Sequence, residues 1–154
     1  MLRVEPLNHQ APRVAEAIFA LLDLAHTQEA ELLGIKNLSK LGRTSELIRT
    51  STEFFLGAWR EDKLVGTLVL GPDSEPEQLH IDTLVVHPHH QRQGIGRLLL
   101  LEILRCAGGM VLSVSSGAAN VHALSLYTSQ GFVVYRTGIM GASETPVVKL
   151  RNAP

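Results

Sequence analysis

Leu84 to Leu101 reads L-V-V-H-P-H-H-Q-R-Q-G-I-G-R-L-L-L-L. An apolar run passes into a loop that ends in two glycines and then into a second apolar run, the pattern of a strand, a turn and a helix start. The first turn of a helix leaves backbone N–H groups without intrahelical acceptors, and the helix dipole adds partial positive charge there. The loop can therefore hold an anion such as a pyrophosphate. Gly94 and Gly96 keep side chains away from that anion, while Arg92 and Arg97 offer charge-assisted contacts. Two glycines in a strand-to-helix connection also serve a tight turn with no ligand, so the loop alone leaves both readings open.

Two other phosphate loops can be tested on the residues. A dinucleotide fingerprint needs a third glycine where Leu99 stands, and an acidic residue about twenty positions further on that is missing here. A Walker loop needs G-x-x-x-x-G-K followed by Ser or Thr, which the chain lacks. NAD and ATP are therefore not the expected ligands.

Outward from the loop, the pattern alternates strands and helices. Met1 to Leu7 reads as a strand and Val14 to Leu24 as a helix, followed between His26 and Ser51 by one or two helical pieces interrupted near Gly34 to Gly42. Phe54 to Arg60 and Lys63 to Leu70 form a hairpin through Glu61 and Asp62. After a turn-rich loop at Pro72 to Pro76, Gln78 to His87 is a long strand, and the helix opened by the glycines ends at Gly108 and Gly109. Met110 to Ser115 is a strand, Asn120 to Gln130 a helix, and Phe132 to Met140 and Pro146 to Leu150 are the last strands.

Composition bounds the function. The chain has 154 residues, 45% hydrophobic and 19% charged, which predicts one globular domain over residues 1–154. A formal net charge of -1 gives no basic field for sequence-independent nucleic-acid binding. The sequence has no long apolar span and no signal-peptide pattern, so a cytoplasmic protein without a membrane partner is expected. The single cysteine, Cys106, excludes an internal disulfide and a cysteine metal cluster, and its place late in a helix predicts a small buried apolar role. His87, His89 and His90 lie within four loop positions and do not offer the converging geometry of a metal site, so no metal is expected.

A second motif lies downstream, where Asn120 to Phe132 reads N-V-H-A-L-S-L-Y-T-S-Q-G-F. Gln91 to Gly96, Q-R-Q-G-I-G, fits Q/R-x-x-G-x-G/A, and the downstream segment fits N-x-x-A-x-x-L-Y-x-x-x-G-F. In this order, both motifs resemble those of the GNAT superfamily of acyl-CoA-dependent N-acetyltransferases, and the resemblance covers residues 54 to 150. It implies an α/β fold: a mixed, mostly antiparallel sheet of about seven strands with helices on both faces. In its centre a parallel pair, the strand ending at His87 and the strand starting near Met110, splays apart to admit an acyl-pantetheine arm.

The resemblance also implies acetyl-CoA as cosubstrate. Backbone groups of Leu84 to Val86, Val85 included, would pair with the pantetheine amides, and the Leu84 N–H would polarise the thioester carbonyl. The loop residues Gln91, Arg92, Gln93, Gly94, Ile95, Gly96 and Arg97 would hold the pyrophosphate, with Gln91 steadying the loop. Asn120 would contact the arm, besides being a residue that caps helices well. Tyr127 would donate a proton to the departing thiolate. The general base is left open. His80 and Asp82 share a strand face and His80 stands where some members carry a glutamate; Asp82 would need desolvation to serve and could instead bind the amine, and a mechanism with no side-chain base is the remaining alternative.

The expected activity is direct acetyl transfer in a ternary complex to a primary amine on a small molecule or peptide, with a noncatalytic acyl-CoA-binding or sensing domain as the alternative. The acceptor pocket would be built from about Leu24 to Ser51 and Arg136 to Thr145, which carry no readable motif. A homodimer through the last strands is an expectation by analogy alone.

Overall fold

The structure is a computed structural model that describes residues 1–33, 44–141 and 144–152. The elements follow the order β1 (Leu2–Pro6), α1 (Pro12–Leu33), α2 (Ser45–Thr50), β2 (Phe54–Arg60), β3 (Lys63–Pro72), β4 (Gln78–Val86), α3 (Ile95–Ala107), β5 (Val111–Gly117), α4 (Val121–Ser129), β6 (Val133–Met140) and β7 (Thr145–Arg151). A 3-10 turn at Pro88–His90 leads from β4 toward α3. The seven strands form one mixed sheet in the order β1-β2-β3-β4-β5-β7-β6, with β4 and β5 as its parallel pair. This is the GNAT-like sheet that the two motifs imply.

Two compact units are distinguished, Met1–Val69 with Thr83–Leu100 and Leu70–Asp82 with Leu101–Pro154. In the first, β1 and β2 pair antiparallel from Leu2↔Arg60 to Pro6↔Leu56. Its core gathers Ala15, Ile18, Leu21 and Leu22 of α1, Ile48 of α2, Phe55 of β2 and Leu64 and Val69 of β3, with Val85 packed against them. The run from Leu64 to Gly71 is buried at every residue, which is why β3 reads as continuous apolar sequence instead of an alternation.

In the second unit β4 and β5 pair from Gln78↔Val111 to Ile81↔Val114, a register that takes in only the first four residues of β4. β5 then pairs antiparallel with β7, from Ser113↔Arg151 to Gly117↔Val147. β6 pairs with the other side of β7, with an irregularity between Val134 and Arg136.

Two sequence expectations change. α1 runs on through His26 to Leu33 where the pattern suggested a break, and the interruption expected near Gly34 to Gly42 lies outside the described residues. Cys106 is exposed instead of buried: its spacing of seven from Leu99 and three from Ile103 keeps it near their buried face, but it lies in the last turn of α3, one residue before the helix ends at Ala107 and the exposed Gly108 and Gly109 follow.

One contact fixes how α3 begins. A Cβ on Gly66 of β3 would stand 2.9 Å from Ile95 Cγ2 and 3.1 Å from Leu99 Cδ1, so the first turn of the helix packs directly on bare backbone. A Gly66→Val substitution would force α3 off the strand and cost about 1–3 kcal/mol. Urea denaturation of the purified variant checks this as a lower midpoint, with an unchanged midpoint as the contrary result.

Candidate active site

The first unit carries the loop. β4 ends where the His87 N–H donates to Val65 O at 2.7 Å, and the His87 Nδ1 accepts the His89 N–H at 3.1 Å, closing the 3-10 turn. His87, 8% exposed, therefore serves the turn itself, and among the described residues no group of His, Cys, Asp and Glu is arranged to hold a metal. Arg92 and Gly94 both adopt left-handed backbone, at φ 65° and φ 79°. The Leu98 N–H donates to Gly94 O at 3.0 Å as the first bond of α3, which leaves the amides of Ile95, Gly96 and Arg97 without intrahelical acceptors. Space around the Gly94 Cα is open, since a Cβ there would meet nothing within 4 Å. The result is a cluster of N–H donors at the positive end of a helix dipole, reachable by an anion.

The side chains around this loop brace it. The Gln91 amide donates to Gln28 Oε1 of α1 at 3.0 Å and approaches Val86 O at 3.5 Å. Arg60 donates to Gln93 Oε1 at 2.9 Å. Arg92 and Arg97 are exposed, as cations available to a phosphate would be. Val85 turns its side chain into the core, so by strand alternation Leu84 and Val86 face the other side of β4.

The second unit holds Tyr127, Asn120, His80 and Asp82. Asn120 caps α4, its Oδ1 accepting the Ala123 N–H at 3.2 Å. Tyr127 is 6% exposed, and burial pushes its phenol up to about 12, so it stays protonated at neutral pH. The L-Y-x-x-x-G-F pattern has a backbone cause that the sequence reading missed. Gly131 takes φ 90° and donates to Thr128 O at 3.1 Å, while Phe132 N–H reaches back to Tyr127 O at 3.1 Å. These are the paired bonds of a Schellman stop, completed by the packing of Phe132 on Tyr127 with ring centroids 5.7 Å apart. Tyrosine, glycine and phenylalanine thus form one device that ends α4 and fixes the tyrosine.

The sequence reading also missed a polar cluster around His80. Its Nδ1 lies 2.8 Å from Ser113 Oγ on β5. Ser113 Oγ lies 2.9 Å from Asp73 Oδ2, and the Lys149 ammonium of β7 donates to Asp73 Oδ1 at 2.8 Å. Gln78 also donates to Asp73, as does the Ser74 N–H at 2.7 Å. Burial is the largest influence on the Asp73 carboxyl and pushes it up. The bonds from Lys149, Gln78, Ser113 and Ser74 together outweigh burial and hold the group well below the usual carboxylate range. His80 is half-buried, and burial also pushes its imidazole below its ordinary value, opposed by the Asp73 and Asp82 carboxylates and assisted by Lys149. At neutral pH the ring is therefore uncharged and able to accept a proton. Asp82 is exposed. Asp73 lay in what read as a turn-rich loop, and nothing near it in the sequence marked it.

Residues 16–132 match the acetyltransferase (GNAT) family. The UPF0157 protein YqkA of Bacillus subtilis (strain 168) is 33% identical over 130 residues, which make up 84% of this chain and 37% of that protein, so the chain spans little more than a third of that relative's length. The ribosomal-protein-S18-alanine N-acetyltransferase from Escherichia coli has a TM-score of 0.75 at 16% identity, over 98% of this chain and 92% of its own. The PaiA N-acetyltransferase from Thermoplasma acidophilum, solved in complex with coenzyme A, gives 0.75 at 16% identity over 97% and 98%. At such identities these two structures speak for the fold.

The depressed Asp73 carboxyl has a pH consequence. Its contribution to stability is fully present above the ordinary value of 3.8 and drains away as pH falls below it, since the unfolded chain takes up a proton there before the folded one does. Urea midpoints of the wild type should decline below that pH, and Asp73→Asn should flatten the decline while lowering stability at neutral pH. Parallel declines in the two proteins would be the contrary result.

Proposed function

The chain belongs to the GNAT family of acetyltransferases, and from that premise we propose that it transfers an acetyl group from acetyl-CoA to a primary amine by direct attack in a ternary complex. The observation that carries the reading is the opening of α3, where left-handed Gly94 leaves the amides of Ile95, Gly96 and Arg97 unbonded within the helix, with Arg92 and Arg97 exposed beside them. That donor set fits a pyrophosphate. The solved complex of the Thermoplasma relative with coenzyme A supports the same cosubstrate for this fold.

In this reading the loop from Gln91 to Arg97 holds the pyrophosphate, and Leu84 to Val86 present backbone groups to the pantetheine arm, with Asn120 also beside it. His80 takes a proton from the ammonium form of the acceptor. The free amine forms a C–N bond at the thioester carbonyl, whose developing oxyanion is stabilised by the Leu84 N–H. The C–S bond breaks with the electron pair leaving on sulfur, and Tyr127 supplies the proton that turns thiolate into thiol. The nitrogen loses its surplus proton to solvent as the amide forms, and through solvent the Tyr127 phenolate regains a proton and the His80 imidazolium releases one, so that both groups are reset and one proton is released overall. Asp82, exposed on the same strand face as His80, attracts the cationic amine instead of acting as the base.

Calorimetric titration with acetyl-CoA, CoA and NAD tests the cosubstrate without knowledge of the acceptor. Saturable binding of both CoA ligands and none of NAD is expected, weakened on the order of tenfold or more by Gly94→Glu, which adds negative charge and a side chain at left-handed backbone. Absence of CoA binding would return the loop to a plain turn. Release of CoA thiol from acetyl-CoA with a panel of small primary amines then measures turnover. Tyr127→Phe should lower kcat by roughly 10²–10⁴ with acetyl-CoA affinity retained. Unchanged turnover would remove Tyr127 from the chemistry, and binding without turnover on any amine would favour a noncatalytic acyl-CoA-binding protein.

A further inference from the structure

The polar cluster of the second unit poses a question of hydrogen accounting. Ser113 has one hydroxyl hydrogen, and its oxygen lies 2.9 Å from Asp73 Oδ2, 3.4 Å from Leu79 O and 2.8 Å from His80 Nδ1. Asp73 and Leu79 offer only acceptors, because the carboxylate is ionised and a backbone carbonyl has no hydrogen. Asp73 is moreover pinned, its side chain 3% exposed and its other oxygen bonded to the Lys149 ammonium. The hydroxyl hydrogen therefore goes to the carboxylate, since a charge-assisted bond outweighs a neutral one. The Ser113 oxygen is left as an acceptor facing Nδ1. Two lone pairs cannot face each other at 2.8 Å, so the hydrogen on that contact is the imidazole's.

We propose that Ser113 and Asp73 are positioning residues that hold His80 as the Nδ1–H tautomer, so that Nε2 carries the lone pair and is the atom that takes the proton from the acceptor ammonium. This rests on the reading of His80 as the base. When the ammonium N–H bond breaks, the proton lands on Nε2 and its electron pair stays on the amine nitrogen. The resulting imidazolium keeps its Nδ1–H bond to Ser113, and the buried Asp73 carboxylate one hydroxyl away opposes its charge. Lys149 keeps that carboxylate ionised and so keeps it an acceptor. The charged and titratable groups acting on the ring are then Asp73 from the segment after β3, Asp82 from β4 itself and Lys149 from β7. Free imidazole side chains favour the opposite tautomer, so the arrangement has a signature that mere packing would not produce.

The test is long-range 1H–15N correlation on the full chain with 15N-labelled histidine, above the titration range of the ring. The His80 signals are assigned by their loss in His80→Ala. The wild type should show His80 protonated at Nδ1, Ser113→Ala should move it mainly to the Nε2–H form, and Ser113→Thr should restore the wild-type pattern by returning the hydroxyl. A wild-type ring protonated at Nε2 overturns the proposal outright, and this result needs no variant to fold. An unchanged tautomer in Ser113→Ala also overturns it. The thiol-release assay separates this failure from failure of the base reading. His80→Ala with undiminished turnover sinks the base while leaving the tautomer result standing. If both hold, Ser113→Ala lowers kcat by roughly tenfold to a hundredfold and displaces the acid limb of its pH profile, with KM for acetyl-CoA unchanged, as partial loss of a positioned base requires.

Discussion

A buried carboxylate is the constraint around which the second unit is arranged. Asp73, with its side chain 3% exposed, would be expensive to bury alone, and it is offset by donors drawn from three places in the chain: Gln78 at the start of β4, Ser113 in β5 and Lys149 in β7. The parallel register of β4 on β5 is only four residues long, so its backbone bonds give modest support. One acceptor group shared by β4, β5 and β7 adds side-chain ties across those neighbouring strands. Removing either partner of a buried ion pair leaves the other charge uncompensated, at a cost of about 3–5 kcal/mol. That asymmetry makes the cluster a fixed reference from which His80 is oriented.

Glycine plays a different part at each of three positions. Gly94 supplies a left-handed turn with open space beside it, Gly131 supplies the left-handed stop that brings Phe132 back onto Tyr127, and Gly66 supplies no special dihedral but a bare surface for Ile95 and Leu99. The first two are local devices and leave local signals, a glycine at a set distance from a helix. The third is a contact between elements almost thirty residues apart. Nothing in the neighbourhood of Gly66 announces it.

The same division explains what could be read from the chain. Strand and helix periods are local, so the hairpin at Glu61 and Asp62, the helix opened at Gly94 and the last helix emerged close to their observed bounds. The GNAT-like sheet followed from two ordered motifs. The placement of β7 between β5 and β6 was not among the expectations, since residue patterns alone do not say which strands become neighbours. His80 was marked by its position before the loop, but its partners Asp73, Ser113 and Lys149 come from separate segments of ordinary composition. Buried polar groups find their partners through tertiary structure, and single-sequence patterns record only one end of each bond. Cys106 failed for a simpler reason: it stands in the last turn of its helix, and how far burial extends toward a helix end is not settled by residue type or period.

On the proposed reading of His80 as the base, the cluster also bears on why a histidine suits a position where some members of the family that the motifs resemble carry a glutamate. A carboxylate at position 80 would sit one hydroxyl away from the ionised Asp73, in a half-buried place where like charges raise one another's pKa and neither is well solvated. Ser113, with its hydrogen already given to Asp73, could offer such a carboxylate only lone pairs. A neutral imidazole meets neither objection: it donates through Nδ1 to the waiting oxygen and carries no charge until it takes up a proton. Once protonated, it gains from the very carboxylate that would have repelled a glutamate. The residue at 80 and the buried acid at 73 are thus one electrostatic choice: the hydroxyl and carboxylate that suit a neutral imidazole there would oppose a second acid.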